Sequence, residues 1–130
     1  MRASVLIVED QADLRRMLVR ILLRNGFAVF QAATAELGLE IYNEHPGKID
    51  VAIIDMVMPG MSGLDLAAEL MRRHPGQKIL YISGYGDSIA IEGLVRSSPG
   101  SVLCKPFTAP MLIGRLRELF RGHCLFEGRL

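Results

Sequence analysis

The chain has 130 residues, half of them hydrophobic, and a formal net charge of +1, which suits one domain with its own core and offers no basic field for nucleic acid or an anionic membrane surface. No apolar run approaches the roughly 20 residues that a membrane-spanning helix needs. The two cysteines, Cys104 and Cys124, lack metal-type spacing, and the opening "MRASVLIVEDQAD" turns acidic too early for a secretory signal, so the expected setting is reducing and cytoplasmic.

Short β-branched runs alternate with longer stretches of helical period, the sequence form of repeated βα units around a parallel sheet. The first unit pairs the strand "SVLIV" (4 to 8) with a helix over about 12 to 24 that ends at Asn25-Gly26, a pair suited to a left-handed C-terminal cap. The second pairs "FAVFQA" (27 to 32) with a helix capped by Thr34, and the third pairs "VAIID" (51 to 55) with a helix starting near Ser62, where Asp65 is positioned as a capping-box partner. These second and third helices both stop at His-Pro-Gly, because proline cannot continue a helix and glycine turns the chain. "KILYIS" (78 to 83) is followed by a short helix, "GDSIAIEGLVR", weakened by Gly93 and expected to be the least rigid. "SVLCK" (101 to 105) precedes a helix that starts near Thr108, tolerates Pro110 in its first turn and buries Leu112, Ile113, Leu116, Leu119 and Phe120. Residues 123–130 read as a tail. The near-continuous apolar runs place the first, third and fourth strands at the centre of a sheet covered on both faces.

In an open parallel sheet the functional crevice lies at the carboxyl ends of the strands. Strand one closes on Glu9 and Asp10, strand three on Asp55, strand four on Ser83 and strand five on Lys105. Three carboxylates on one edge repel one another unless something positive sits among them. A magnesium ion meets that need, since it takes hard oxygen ligands, retains waters and accepts an incoming phosphate. Asp55 is the candidate nucleophile, because a carboxylate accepts a phosphoryl group without a general base. Asp10, helped by Glu9, is placed to hold the metal, while Lys105 and the Ser83 hydroxyl supply a cation and a donor for phosphoryl oxygens. The Lys105-Pro106 bond is a candidate for the cis form. Each residue taken alone has a bland reading as a turn, a cap or a surface group. Turn chemistry gives no reason for four of five strand ends to supply the complementary parts of one site.

"VLIVEDQADLRRML", "IIDMVMPGMSGLDL", "YISGYGD" and "CKPFT" resemble, in order and spacing, the receiver domains of two-component response regulators, over residues 4 to 121. The resemblance implies an α/β, doubly wound (βα)5 domain over 1–122 with a five-stranded parallel sheet in the order 2-1-3-4-5. It implies that Asp55 is phosphorylated by a histidine kinase or histidine phosphotransfer domain. It also implies Mg2+ held by Glu9, Asp10, Asp55 and the backbone carbonyl of Val57, with Ser83 and Lys105 completing the site. The "ISGY" stretch and the approach to strand five look most like receivers of hybrid sensor histidine kinases, in which case the signal passes to a parent-chain domain; otherwise it passes to a downstream protein partner. No independent enzyme is expected beyond self-phosphotransfer and autodephosphorylation. The alternatives are a receiver-like interaction domain that is not phosphorylated, and an aspartate-nucleophile phosphohydrolase, which usually carries a second acid where this chain has Val57.

Three positions, in two departures, differ from the family pattern. Val102 stands where many receivers carry an aromatic switch residue, and Val57 and Tyr85 occupy the positions that influence hydrolysis of the acyl phosphate, so a comparatively long-lived phosphoaspartate is expected. Placed on a wheel, the first helix points Leu14, Met17, Leu18 and Ile21 inward, and leaves Val19 and Leu23 outside, rimmed by Arg16 and Arg20, either as ordinary scattered aliphatics or, as the resemblance suggests, as a docking patch for the partner histidine domain. His45, His74 and His123 are expected to be exposed, Cys104 to be a small core residue, and Met56, Met58 and Met61 to pack around the acceptor loop.

Overall fold

The computed structural model describes residues 2–84, 93 and 101–121. Five strands, β1 (Ser4–Val8), β2 (Ala28–Ala32), β3 (Val51–Asp55), β4 (Lys78–Ser83) and β5 (Val102–Cys104), form one sheet in the order β2-β1-β3-β4-β5. Every pairing is parallel. Helices α1 (Ala12–Arg24), α2 (Ala35–Glu44), α3 (Gly63–Arg73) and α4 (Ala109–Arg121) cover it. The order reverses between β1 and β3, which opens a crevice at their carboxyl ends.

Strand alternation divides the core in two. Leu6, Val8, Ala52, Ile54, Ile79, Tyr81 and Val102 pack with Ala35, Tyr42, Leu66 and Leu70 of α2 and α3. Val5, Ile7, Val51, Ile53, Leu80, Ile82 and Leu103 pack with Leu18 and Leu22 of α1 and with Leu112, Leu116 and Phe120 of α4. Both faces of β1, β3 and β4 are therefore buried, as their unbroken apolar sequences require.

The caps follow the sequence signals. Gly26 has φ 84°, and the Thr34 and Ser62 hydroxyl oxygens accept from the N–H groups of Leu37 and Asp65. Only the Ser62 half of the expected capping box forms among the described residues. His45 and His74 cap the carboxyl ends of α2 and α3. The Lys105-Pro106 bond is cis.

Four expectations need correction. Met17 is 40% exposed, because the buried stripe of α1 runs through Leu18 and Leu22 with Leu14 and Ile21 on its margin. Val19 is half-buried against the same core, leaving Leu23 as the exposed aliphatic beside it. Cys104 is exposed, since it is the last residue of a three-residue edge strand whose neighbour Leu103 takes the buried position. His45 is half-buried, its ring against Phe30 and its Nδ1 beside the Ile41 carbonyl. The expected helix over 86–96, Tyr85, His123, Cys124 and the 122/123 boundary lie outside what is described, apart from Gly93.

Gly63 is fixed by sterics at the start of α3. A Cβ built there would stand 2.1 Å from the Asp55 carbonyl oxygen and 2.9 Å from Met56 Cα, so the helix can seat against the acceptor strand only through a glycine. Gly63→Ala is expected to lower stability by about 2–4 kcal/mol in denaturant titration, the range of a severe backbone clash, whereas Gly114→Ala, with open space at its Cβ, leaves the midpoint unchanged or raised.

Candidate functional site

The strand ends bring the expected residues together. Glu9 and Asp55, 1% and 4% exposed, sit at the carboxyl ends of the two central strands flanking the crevice, and Asp10 lies at the exposed rim. Each of the three offers a carboxylate oxygen within 4.8 Å of the others. Lys105 Nζ stands 3.4 Å from Asp55 Oδ2, and the Val57 N–H donates to Asp55 Oδ1 at 3.1 Å. The Lys105 N–H donates to the Ser83 carbonyl at 2.8 Å, which sets the lysine's backbone beside β4 just past the end of β5. Ser83 is fully buried, and its hydroxyl lies 3.6 Å from Cys104 Sγ. Met56, Met58 and Met61 pack into the core around the acceptor loop, as expected.

Glu9 carries the electrostatic strain of this arrangement. Its Oε2 accepts from the Gln11 N–H at 3.1 Å, but its Oε1 is buried with no hydrogen-bond partner. Burial raises its pKa from 4.5 to about 8; the Gln11 N–H opposes the rise, the neighbouring Asp55 carboxylate adds to it, and Lys105 offsets part of it. Two facing carboxylates are both acceptors, so the orphaned oxygen is satisfied only by a proton shared with Asp55 or by a cation. A divalent ion fits this donor set: three carboxylates of hard oxygen, one with an unspent lone pair, open to solvent on the Asp10 side.

Three contacts that hold the site carry no local sequence signal. Arg15 Nη1 donates to the Glu9 carbonyl at 2.9 Å and ties the first turn of α1 to the acidic corner. Glu36 Oε2 accepts from the Met61 N–H at 3.4 Å and lies 3.3 Å from where a Cβ on Gly60 would stand, fastening the loop after β3 to α2. Cys104 is the resting neighbour of the Ser83 hydroxyl.

A doubly wound parallel sheet with a buried acid ending its central strand, two further acids beside it and a lysine opposite defines a phosphoacceptor domain of the type used in two-component signalling. The profile of the response regulator receiver domain matches residues 5–117, and the chain belongs to that family. It is 31% identical over 120 residues to the chemotaxis protein CheY of Thermotoga maritima, covering 92% of this chain and 98% of CheY. It is 36% identical over 117 residues to the sensor kinase CckA of Brucella abortus, spanning 90% of this chain but only 12% of the kinase. A crystal structure of a receiver domain protein from Clostridium thermocellum superposes with a TM-score of 0.87 at 27% identity, covering 95% of this chain and 98% of that one. The protein is thus a CheY-like receiver and phosphoacceptor of two-component signal transduction. Receivers generally bind Mg2+ in an acidic pocket and engage histidine kinases, phosphotransfer partners or domains of their own chain. Among the described residues no helix is long and apolar enough to cross a membrane.

The raised Glu9 pKa sets a pH dependence. Between about 4.5 and about 8 the unfolded chain has released this proton and the folded chain has kept it, so without metal the contribution of Glu9 to stability falls as pH rises through that window. Glu9→Gln removes the penalty. At pH 8 in EDTA the variant should be the more stable by up to about 4 kcal/mol, and the difference should vanish towards pH 4.5, as read by urea titration at each pH.

Proposed function

We propose that Asp55 is the phosphoacceptor and that Glu9, Asp10, Asp55 and the Val57 carbonyl hold a magnesium ion, which when bound neutralises charge on the phosphoryl oxygens. The Asp55 carboxylate attacks phosphorus; the N–P bond of a phosphohistidine breaks as the O–P bond of the acyl phosphate forms, and the electron pair returns to the imidazole nitrogen. Asp55 enters as the carboxylate, so no general base is needed. Lys105 lies on the carboxylate it serves and is placed to pair with a phosphoryl oxygen. A thiol is a weak hydrogen-bond partner, so the Ser83 hydroxyl gives up little when it turns from Cys104 to the phosphoryl group.

The observation that carries this reading is the convergence of Asp55 with Lys105 at 3.4 Å and with Glu9 and Asp10 within one ligand cluster. A phosphohydrolase is disfavoured, because the position of its second acid is held by Val57, which is 63% exposed and has no titratable group.

The donor is a histidine kinase or histidine phosphotransfer domain in the cytoplasm. It reaches Asp55 over the first turns of α1 and the loop after β5, where Leu14 is half-buried, Met17 is 40% exposed and Phe107 is half-buried. Similarity to a short part of the CckA sensor kinase supports a place in a longer hybrid kinase, with output through a parent-chain domain. Similarity along almost the whole of a CheY supports output through a separate protein. Val102 is a buried core residue of β5, so no ring at that position relays the change.

Incubation with acetyl phosphate and Mg2+, followed by intact mass measurement, is expected to give one phosphoryl adduct that is absent in EDTA and absent in Asp55→Asn. An adduct retained in Asp55→Asn would remove the assignment. Val57→Asn is expected to shorten the lifetime of the adduct several-fold, by supplying a polar group beside the acyl phosphate where the wild type has an exposed aliphatic.

A further inference from the structure

The outer flank of α1 and the edge strand β2 enclose a groove of about 330 Å3 that phosphoryl transfer does not use. Val19 and Leu23 contribute its apolar surface, Arg16, Arg20 and Arg24 line it, and Gln31 of β2 closes the far side. At about 100° per residue, Val19 and Leu23 fall on one side of the buried Leu18–Leu22 stripe, while Leu14 and Met17 fall on the other. The groove runs along α1 from Arg16 to Arg24, beginning one residue beyond Arg15, which touches Glu9. A donor that docks over Leu14 and Met17 and an occupant of this groove therefore use different flanks of the helix.

The charge is local. The whole chain carries +1, yet α1 carries four arginines against one aspartate. Arg16 is paired with Asp13, whereas Arg20 and Arg24 have no hydrogen-bond or ion-pair partner among the described residues. The three groove arginines recur every four residues, parallel to the apolar pair Val19 and Leu23, spaced i, i+4. A second helix lying alongside presents apolar side chains at the same spacing, with flanking carboxylates in reach of the arginines. The short, one-sided stripe with an apolar floor matches a helix better than a nucleic-acid backbone or a bilayer, which would call for a broad basic face.

We propose that this groove docks an acidic amphipathic helix of a partner protein, separately from the phosphodonor. The arginines select for carboxylates and govern encounter, while Val19 and Leu23 supply the buried contact. This differs from the expectation that Val19 and Leu23 serve the phosphodonor.

The isotope-labelled full chain is titrated, with NMR detection, with a synthetic helical peptide of about 14 residues that carries leucines at i and i+4 flanked by glutamates, and with versions in which lysine or glutamine replaces glutamate. Saturable shifts are expected at Val19, Arg20, Leu23 and Gln31. Binding should be at least about tenfold weaker for the glutamine peptide, weaker still for the lysine peptide, and should fall with salt. Arg20→Glu with Arg24→Glu should invert the preference towards the lysine peptide, while the acetyl phosphate adduct forms at the wild-type rate. Indifference to peptide charge, shifts centred elsewhere, or an unchanged preference in the double variant would overturn the proposal. So would failure of the acidic peptide while duplex DNA or phosphatidylglycerol vesicles shift the same residues. Loss of the acetyl phosphate adduct in the wild type would instead count against the phosphoacceptor assignment and leave the groove measurement standing.

Discussion

The burial of Glu9 beside Asp55 at the carboxyl ends of β1 and β3 is the constraint on which the rest of the structure depends. The chain takes two carboxylates out of water at the ends of adjacent strands and leaves one oxygen of Glu9 without a donor. Folding alone does not relieve that. Lys105 offsets part of the charge at Asp55, and the rise of the Glu9 pKa to about 8 shows that burial and the facing carboxylate outweigh the help from Lys105 and the Gln11 N–H. A site strained in this way is stabilised by a small, hard cation and, once the cation is present, by an incoming phosphoryl group.

The apolar architecture makes such a site affordable. β1 and β3 are sealed on both faces, so their terminal acids are aimed by rigid backbone rather than by flexible loops. Gly63 lets α3 close against the Asp55 carbonyl, Arg15 pins the β1 corner to α1, and Glu36 fastens the loop that carries Val57. Each of these contacts connects a helix to the crevice, so helix packing and site geometry are one problem. On α1 the two flanks differ, one bearing the exposed Met17 and the other an arginine-lined groove.

Much of this was legible in the sequence, for physical reasons. The runs "SVLIV", "VAIID" and "KILYIS" are doubly buried strands and could be bounded to the residue, because apolar continuity stops where a polar strand end begins. Thr34, Ser62 and Gly26 marked helix ends through local hydrogen bonds and backbone conformation. The strand order came from family resemblance. What failed was burial at margins. Met17 and Cys104 are apolar enough for a core, but a wheel drawn without the neighbouring elements cannot tell the edge of a stripe from its centre, and a strand run does not disclose that its last residue reaches the rim of an edge strand. His45 packs its ring against Phe30, a residue 15 positions away on another element. Glu36 and Met61 are 25 residues apart and meet only in three dimensions.

If the acidic corner is held in tension by its own carboxylates, magnesium must stabilise the folded chain through it. The thermal midpoint of the full-length protein at pH 8, measured in EDTA and in millimolar MgCl2, tests this directly. The account predicts a midpoint raised by Mg2+ in the wild type and a rise abolished in Asp10→Asn. A wild-type midpoint indifferent to Mg2+, or an undiminished rise in Asp10→Asn, would contradict it.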